Sequence, residues 1–164
     1  MSDGGAEYPF GRAPGSFDLG DPGPPPDVVP LLAYGANASP DRLAAKLPGV
    51  RIAALSAELR GWAVVHSAHV SPYGSVPATL VEAEGAVEQV HVLLVADLAP
   101  LDATEPNYDR VRLTGLDLRA DRLGPVGTAD AYLSKWGPLL VDGRPVPLGS
   151  RPQAELLALV RERA

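Results

Sequence analysis

Between positions 51 and 96 the chain carries four strand-like segments in succession, with no helical stretch between them. They cover residues 51–58, 60–68, 76–82 and 87–96, and Gly74 and Gly85 mark turns among them. A doubly wound parallel sheet needs a helix between successive strands, so this order argues against that fold. It predicts an α+β domain whose sheet is strongly curved or closed.

The remaining segments fit around that sheet. Residues 28–34, Val-Val-Pro-Leu-Leu-Ala-Tyr, form a short apolar run expected of a strand buried on both faces. A short helix is predicted after Ser39, with Ser39 as N-cap, Pro40 in the first position and Asp41 at the positive end of the dipole. Leu43 and Leu47 share its apolar face, and Pro48-Gly49 stops it. A second short helix fits 98–104, opened by Asp97 and closed before Pro106. Residues 108–118 read as one strand whose apolar phase changes beside Gly115, as at a bulge. Residues 126–136 read as a further strand. Asp142-Gly143 is a two-residue hairpin signal, and Pro145 and Pro147 confine the strand after it to an edge. A final helix begins at Arg151, with Ser150 and Gln153 at capping-box spacing. Leu156, Leu157 and Val160 form its buried side.

Residues 1–27 are Gly- and Pro-rich, ending in three consecutive prolines, with too few apolar side chains to offset their ordering entropy. They read as a mobile tail before a domain at 28–164. The alternative is that Tyr8, Phe10 and Phe17 pin the tail to the domain. A solvated linker is favoured over a proline-rich ligand for a partner protein.

Composition removes several function classes. The chain has no cysteine, so thiol catalysis, disulfides and thiolate metal sites are excluded. The net charge is −6 and no basic stripe is present, so nucleic acid is not an expected partner. No apolar stretch is long enough to span a bilayer as a helix, and the start lacks a signal-peptide pattern. No membrane partner is expected, and a cytoplasmic location is the simplest reading. His66 and His69 are three apart in a predicted strand, so they face opposite sides and do not share a metal. They and His91 read as structural. Ser67, Ser71 and Ser75 lack a nucleophile-elbow context.

Two segments carry a chemical signal. In the first, Tyr34-Gly35-Ala36-Asn37 links the apolar strand to the helix. Gly35 permits a sharp turn and close approach to a ligand, and helix N–H groups there suit a carboxylate. In the second, Glu105 precedes Pro106, which disfavours helical geometry at Glu105 and places it at or just past a helix C-terminus. The negative end of the dipole opposes ionisation of a carboxylate, a placement suited to proton transfer. Each segment also has a bland reading, as an ordinary strand-to-helix turn and a solvated surface glutamate.

Together they resemble the gamma-glutamylcyclotransferase-like family. Its first hallmark is an apolar strand ending Y-G-S-N before a helix, which residues 34–37 match except at Ala36. Its second is L-D-x-x-E-G followed by a tyrosine and a strand. Leu101-Asp102-Ala103-Thr104-Glu105 matches this, with Pro106 in place of glycine and Tyr108 and Arg110 beyond. Between them, Pro77-Ala78-Thr79-Leu80 and the apolar run at 90–96 also follow the family order.

The resemblance implies a small mixed, largely closed β-barrel with flanking helices. It implies conversion of a small γ-glutamyl amide to 5-oxoproline and a free amine, through attack by the substrate's own α-amine and without metal or organic cofactor. Glu105 would be the general acid/base. Tyr34, Gly35, Ala36 and Asn37 would hold the substrate, with Tyr108 and Arg110 nearby. Arg110 has a second reading as a surface charge. Ala36, Pro106 and the short link from Glu105 to Tyr108 depart from the family pattern. They motivate the alternative of a catalytically inactive small-molecule binder on the same fold.

Overall fold

A computed structural model describes residues 15–163. The strands are β1 (Phe17–Leu19), β2 (Leu31–Ala33), β3 (Ile52–His66), β4 (Ala78–Leu94), β5 (Tyr108–Leu113), β6 (Asp117–Ala120), β7 (Gly124–Pro125), β8 (Ala129–Ser134), β9 (Leu140–Val141) and β10 (Arg144–Pro145). The helices are α1 (Pro40–Lys46), α2 (Ala99–Asp102) and α3 (Gln153–Arg163), with a 3-10 turn at Ala36–Ala38. Among the described residues no helix is long and apolar enough to cross a membrane.

The main sheet has the order β5-β8-β2-β4-β3-β6-β7, with β1 added on β3. Only β2 and β8 run parallel; the other neighbours are antiparallel. The fold is α+β, as the order of elements predicts. Among the described residues the expected barrel closure is not found, because β5 and β7 end the sheet without pairing to each other. β5 carries Asp109, Arg110 and Arg112, and β7 is two residues long with Pro125. Charge, proline and short length are features that keep edge strands from pairing.

The four expected central strands are two long ones. β3 runs through Gly61 and β4 through Gly85 without a break in the hairpin they form. The register moves from Arg60↔Val87 to Trp62↔Glu82, so residues 83–86 of β4 lie opposite the single residue Gly61 of β3 and form a bulge, with Gly85 at φ 81°. The expected single strand at 108–118 is instead divided. β5 pairs with β8 at one end of the sheet, whereas β6 pairs with β3 and β7 near the other. The phase change beside Gly115 therefore marks a crossing between two strands, not a bulge.

β2 is fully buried, as its apolar run requires. Leu32 packs on one face of the sheet with Leu55, Leu59, Val92 and Leu118. Leu31 packs on the other with Leu43 of α1, Ile52, Leu93 and Leu101 of α2. α3 covers a smaller cluster through Leu156 and Val160, with Val76, Leu139 and Val146. Gln153 does not close a capping box; its Oε1 accepts from Val76 N at 2.8 Å. Asp142 and Gly143 both take positive φ, 53° and 75°, as the two-residue turn between β9 and β10 demands.

The reading of residues 1–27 as a mobile tail gives way at Phe17–Leu19. These residues pair with Ile52–Ala54 of β3, and Phe17 packs beside the α1 cluster. Side-chain contacts add to this pairing: Ser56 N donates to Ser16 Oγ at 2.9 Å and Arg51 Nη1 to Asp18 Oδ1 at 2.8 Å. Tyr8 and Phe10 lie outside the described residues.

Candidate active site

The C-terminal end of β2 opens into a pocket. Residues 34–37 line it, with Lys46 from α1, residues 104–108 after α2, His69 and residues 71–73 from the segment between β3 and β4, and Tyr132 of β8. Both sequence signals thus meet in one cavity.

Glu105 stands just past α2, held at the main chain on both sides. Its N–H donates to Asp102 O at 3.0 Å, and its carbonyl accepts from Tyr108 N at 3.2 Å. The side chain is 13% exposed. Its Oε1 accepts from Lys46 Nζ at 2.7 Å and from Asn37 Nδ2 at 3.2 Å. Asn37 Oδ1 accepts from Lys46 Nζ at 2.9 Å. Cation, anion and amide therefore form a closed triangle of side chains.

Positive charge reaches the pocket differently from the expectation. The 3-10 turn at Ala36–Ala38 separates the start of α1 from the end of β2, and none of residues 39–42 lines the pocket. The last turn of α1 supplies it instead, through Lys46. Ala36 lines the wall and brings no hydroxyl to it. Tyr34 donates its hydroxyl to Tyr132 O, and Tyr108 donates to Ala78 O at 2.7 Å. Both rings thus serve as wall, with their hydroxyls engaged by carbonyls.

Arg110 is not on the pocket wall. It grips both carboxylate oxygens of Asp102 at 2.8 and 3.0 Å and reaches Asp130 at 2.9 Å. Because β5 alternates sides, Arg110 faces these acids while its neighbours face away. Asp102 also accepts from the Tyr132 hydroxyl at 2.5 Å. Arg110 holds the Asp102 carboxyl below the usual range, with burial opposing and Tyr132 assisting. Burial, then the Asp102 contact, raises Tyr132 above the ordinary phenol value. This network fixes the end of α2 and so supports Glu105 from behind.

Sequence reasoning missed Lys46 and His69. Lys46 lies three residues after Leu43 and beside Leu47, which places it at the margin of the buried helix face. That spacing was the available signal. His69 follows the end of β3, and nothing in its neighbours marks it. It lines the pocket at 7% exposure. Burial lowers it to about 4, so the imidazole is neutral at neutral pH. Among the described residues, no group of three or more His, Asp or Glu is placed to hold a metal ion.

No protein-family model and no curated protein sequence matches the chain. Solved structures do. A gamma-glutamyl cyclotransferase aligns at TM-score 0.51 and 16% identity, covering 82% of this chain and 79% of that one. The solution structure of At5g39720.1 from Arabidopsis thaliana aligns at TM-score 0.51 and 21% identity, covering 82% and 84%. That of At3g28950.1 from Arabidopsis thaliana aligns at TM-score 0.50 and 19% identity, over 70% of this chain. The chain spans 66% of the length of that last protein. The architecture of this chain is therefore the gamma-glutamyl cyclotransferase-like fold.

Proposed function

We propose that the protein is a cytoplasmic cyclotransferase that cuts small γ-glutamyl amides, with Glu105 as general acid/base. One observation carries the reading: an anion, Glu105, and a cation, Lys46, stand side by side on the wall of one pocket. That pair is the complement of a zwitterionic α-amino-acid head. On binding, the α-carboxylate takes Lys46 and the turn at residues 34–37, and the α-ammonium takes Glu105.

Glu105 then removes a proton from the α-ammonium. The freed nitrogen attacks the γ-carbonyl carbon and closes a five-membered ring. The bond from that carbon to the leaving nitrogen breaks as Glu105 returns its proton to that nitrogen; the ring nitrogen then sheds its second proton, and the free amine takes it up and departs as an ammonium. The products are 5-oxoproline and a free amine. The nucleophile is tethered, and alignment of such an attack contributes about 7–11 kcal/mol. A general base adds roughly two to four orders of magnitude. Two protons leave the attacking nitrogen, two reach the departing one, and no electron is gained or lost, so the steps call for no cofactor.

Incubation with a panel of γ-glutamyl amides tests this by release of 5-oxoproline. Glu105→Gln, which keeps shape and loses the proton carrier, should abolish release. Product formation that survives this substitution removes Glu105 from the mechanism.

A second reading has its own support. Glu105 is already engaged by Lys46 and Asn37, and Ala36 and Pro106 depart from the family pattern. A binder on this fold would gain melting temperature from a γ-glutamyl amide and never release 5-oxoproline from it.

A further inference from the structure

We propose that the pocket wall built by the segment between β3 and β4 selects an uncharged leaving amine bearing a hydrogen-bond donor, a hydroxyl or amide N–H, and that Nε2 of His69 accepts from it. The choice of scissile bond rests on the cyclotransferase reading; the binding site does not.

His69 is buried, yet its Nε2 has no hydrogen-bond partner among the described residues. Buried polar atoms are rarely left so. The other ring nitrogen is engaged: Nδ1 lies 2.6 Å from Ser67 Oγ. Ser67 Oγ has two acceptors for its one proton, Ser134 Oγ at 2.7 Å and Gly137 O at 3.4 Å; with the proton directed to either, Ser67 receives one from Nδ1. The imidazole is then the Nδ1–H form, and Nε2 carries a lone pair. The two nitrogens of an imidazole point in nearly opposite directions. Ser67 is not on the pocket wall and His69 is, so Nε2 lies on the cavity side of the ring; it is closed off from solvent and is reached as a bound ligand parts the wall. The ring is steadied by an edge contact with Tyr108, with centroids 5.5 Å apart at 74°.

The rest of this wall is Ser71, whose hydroxyl is engaged with Ser75 Oγ at 3.1 Å, with Pro72, Tyr73, Pro77 and Ala78. Among the described residues, Lys46 and Glu105 are the charged side chains that line the cavity, and the γ-glutamyl head takes both. A carboxylate or ammonium on the leaving amine would be desolvated against this wall without a counter-charge. A neutral donor meets the buried acceptor left without a partner among the described residues, and burial keeps His69 uncharged to receive it.

Two matched series test the proposal. One comprises the γ-glutamyl derivatives of tyramine, phenethylamine and 4-methoxyphenethylamine; the other those of ethanolamine, propylamine and 2-methoxyethylamine. In at least one series the hydroxyl compound should exceed both partners by about tenfold in kcat/KM. The methyl ether separates donation from mere polarity. In His69→Leu the ratio should fall to about one, and His69→Gln, which presents an amide oxygen, should restore part of it. A merely structural histidine would change all rates and leave the ratio alone. Absence of a hydroxyl preference in the wild-type protein overturns the proposal even if the variants do not fold. A preference unchanged in His69→Leu also overturns it, as does faster turnover of γ-glutamylglycine than of every neutral amide. If no 5-oxoproline forms, the cyclotransferase reading fails, and the same ratios are read as dissociation constants by calorimetry. Failure of all six compounds to bind overturns both.

Discussion

Nζ of Lys46 and Oε1 of Glu105 lie 2.7 Å apart, so one ion pair ties the last turn of α1 to the residue just past α2. Lys46 sits at the negative end of its own helix, where a cation is favoured. Both side chains are nearly buried, at 10% and 13% exposure. Packing of Leu43 and Leu101 in one cluster holds the two helices against the same face of the sheet. The pair therefore spans elements that the core has already brought together.

Removing one member should cost more than removing both. Lys46→Met leaves the Glu105 carboxylate desolvated with Asn37 alone, and should destabilise the protein by about 2–3 kcal/mol. Adding Glu105→Gln removes the stranded charge and should recover about 1–2 kcal/mol of that loss. Urea midpoints of the four proteins in the cycle measure the coupling. Strict additivity would show that the pair contributes nothing to folding.

Stability should depend on pH through His69. Its ordinary value is 6.5, and burial lowers it to about 4 in the folded protein. Between those values the unfolded chain binds the proton and the folded one does not, so stability rises with pH. The contribution is full above pH 6.5 and is lost as pH falls to about 4, at most about 3 kcal/mol. Burial shifts His66 the same way, so some slope remains without His69. Urea midpoints across this range should show a shallower slope in His69→Leu than in the wild-type protein.

The fold was legible where chemistry is local. β2 follows from an unbroken apolar run, α1 from Ser39 and Pro40, and the β9–β10 turn from Asp142-Gly143. Boundaries set by long-range pairing were not legible. The break between residues 58 and 60 and the turn at Gly85 look like strand ends, but the β3–β4 ladder continues past both. Gly115 looks like a bulge, but its flanks pair with different strands. The same division holds at the pocket. Glu105 is marked by the helix end and Pro106, whereas Lys46 and His69 reach the cavity through tertiary packing. Arg110 shares the strand face of Tyr108 but lies two residues further along β5, where it meets Asp102 and Asp130.

Arg110 should therefore matter through Asp102, away from the substrate. It holds the Asp102 carboxyl below its ordinary value of 3.8. That stabilisation is present above pH 3.8 and is lost as pH falls through the lower folded value. Arg110→Gln should be less stable than the wild-type protein at neutral pH, and the gap should close as Asp102 protonates in acid. Turnover should be reduced but measurable in this variant, in contrast to Glu105→Gln. Thermal melts from neutral to acidic pH, with 5-oxoproline assays alongside, check both parts. A gap that stays constant into acid would place the role of Arg110 elsewhere.

The attachment of β1 should hinge on Gly20. This residue follows the strand with φ +76°, and a Cβ there would lie 2.2 Å from the Val50 carbonyl oxygen. The neighbour is backbone and cannot turn aside. Around it, Arg51 Nη1 donates to Asp18 Oδ1 at 2.8 Å and Arg51 Nε to Gly23 O at 2.9 Å. Gly20→Ala adds a left-handed-region penalty of about 1–2 kcal/mol to this clash. The least costly relief is release of β1 from β3, because β3 keeps its ladder with β4. Amide exchange separates this from global loss. Protection should fall near Ala54, which β1 faces through Phe17, and persist at Leu59, which pairs with β6. Unchanged protection at Ala54 in Gly20→Ala would mean that the chain absorbs the extra methyl without releasing the strand.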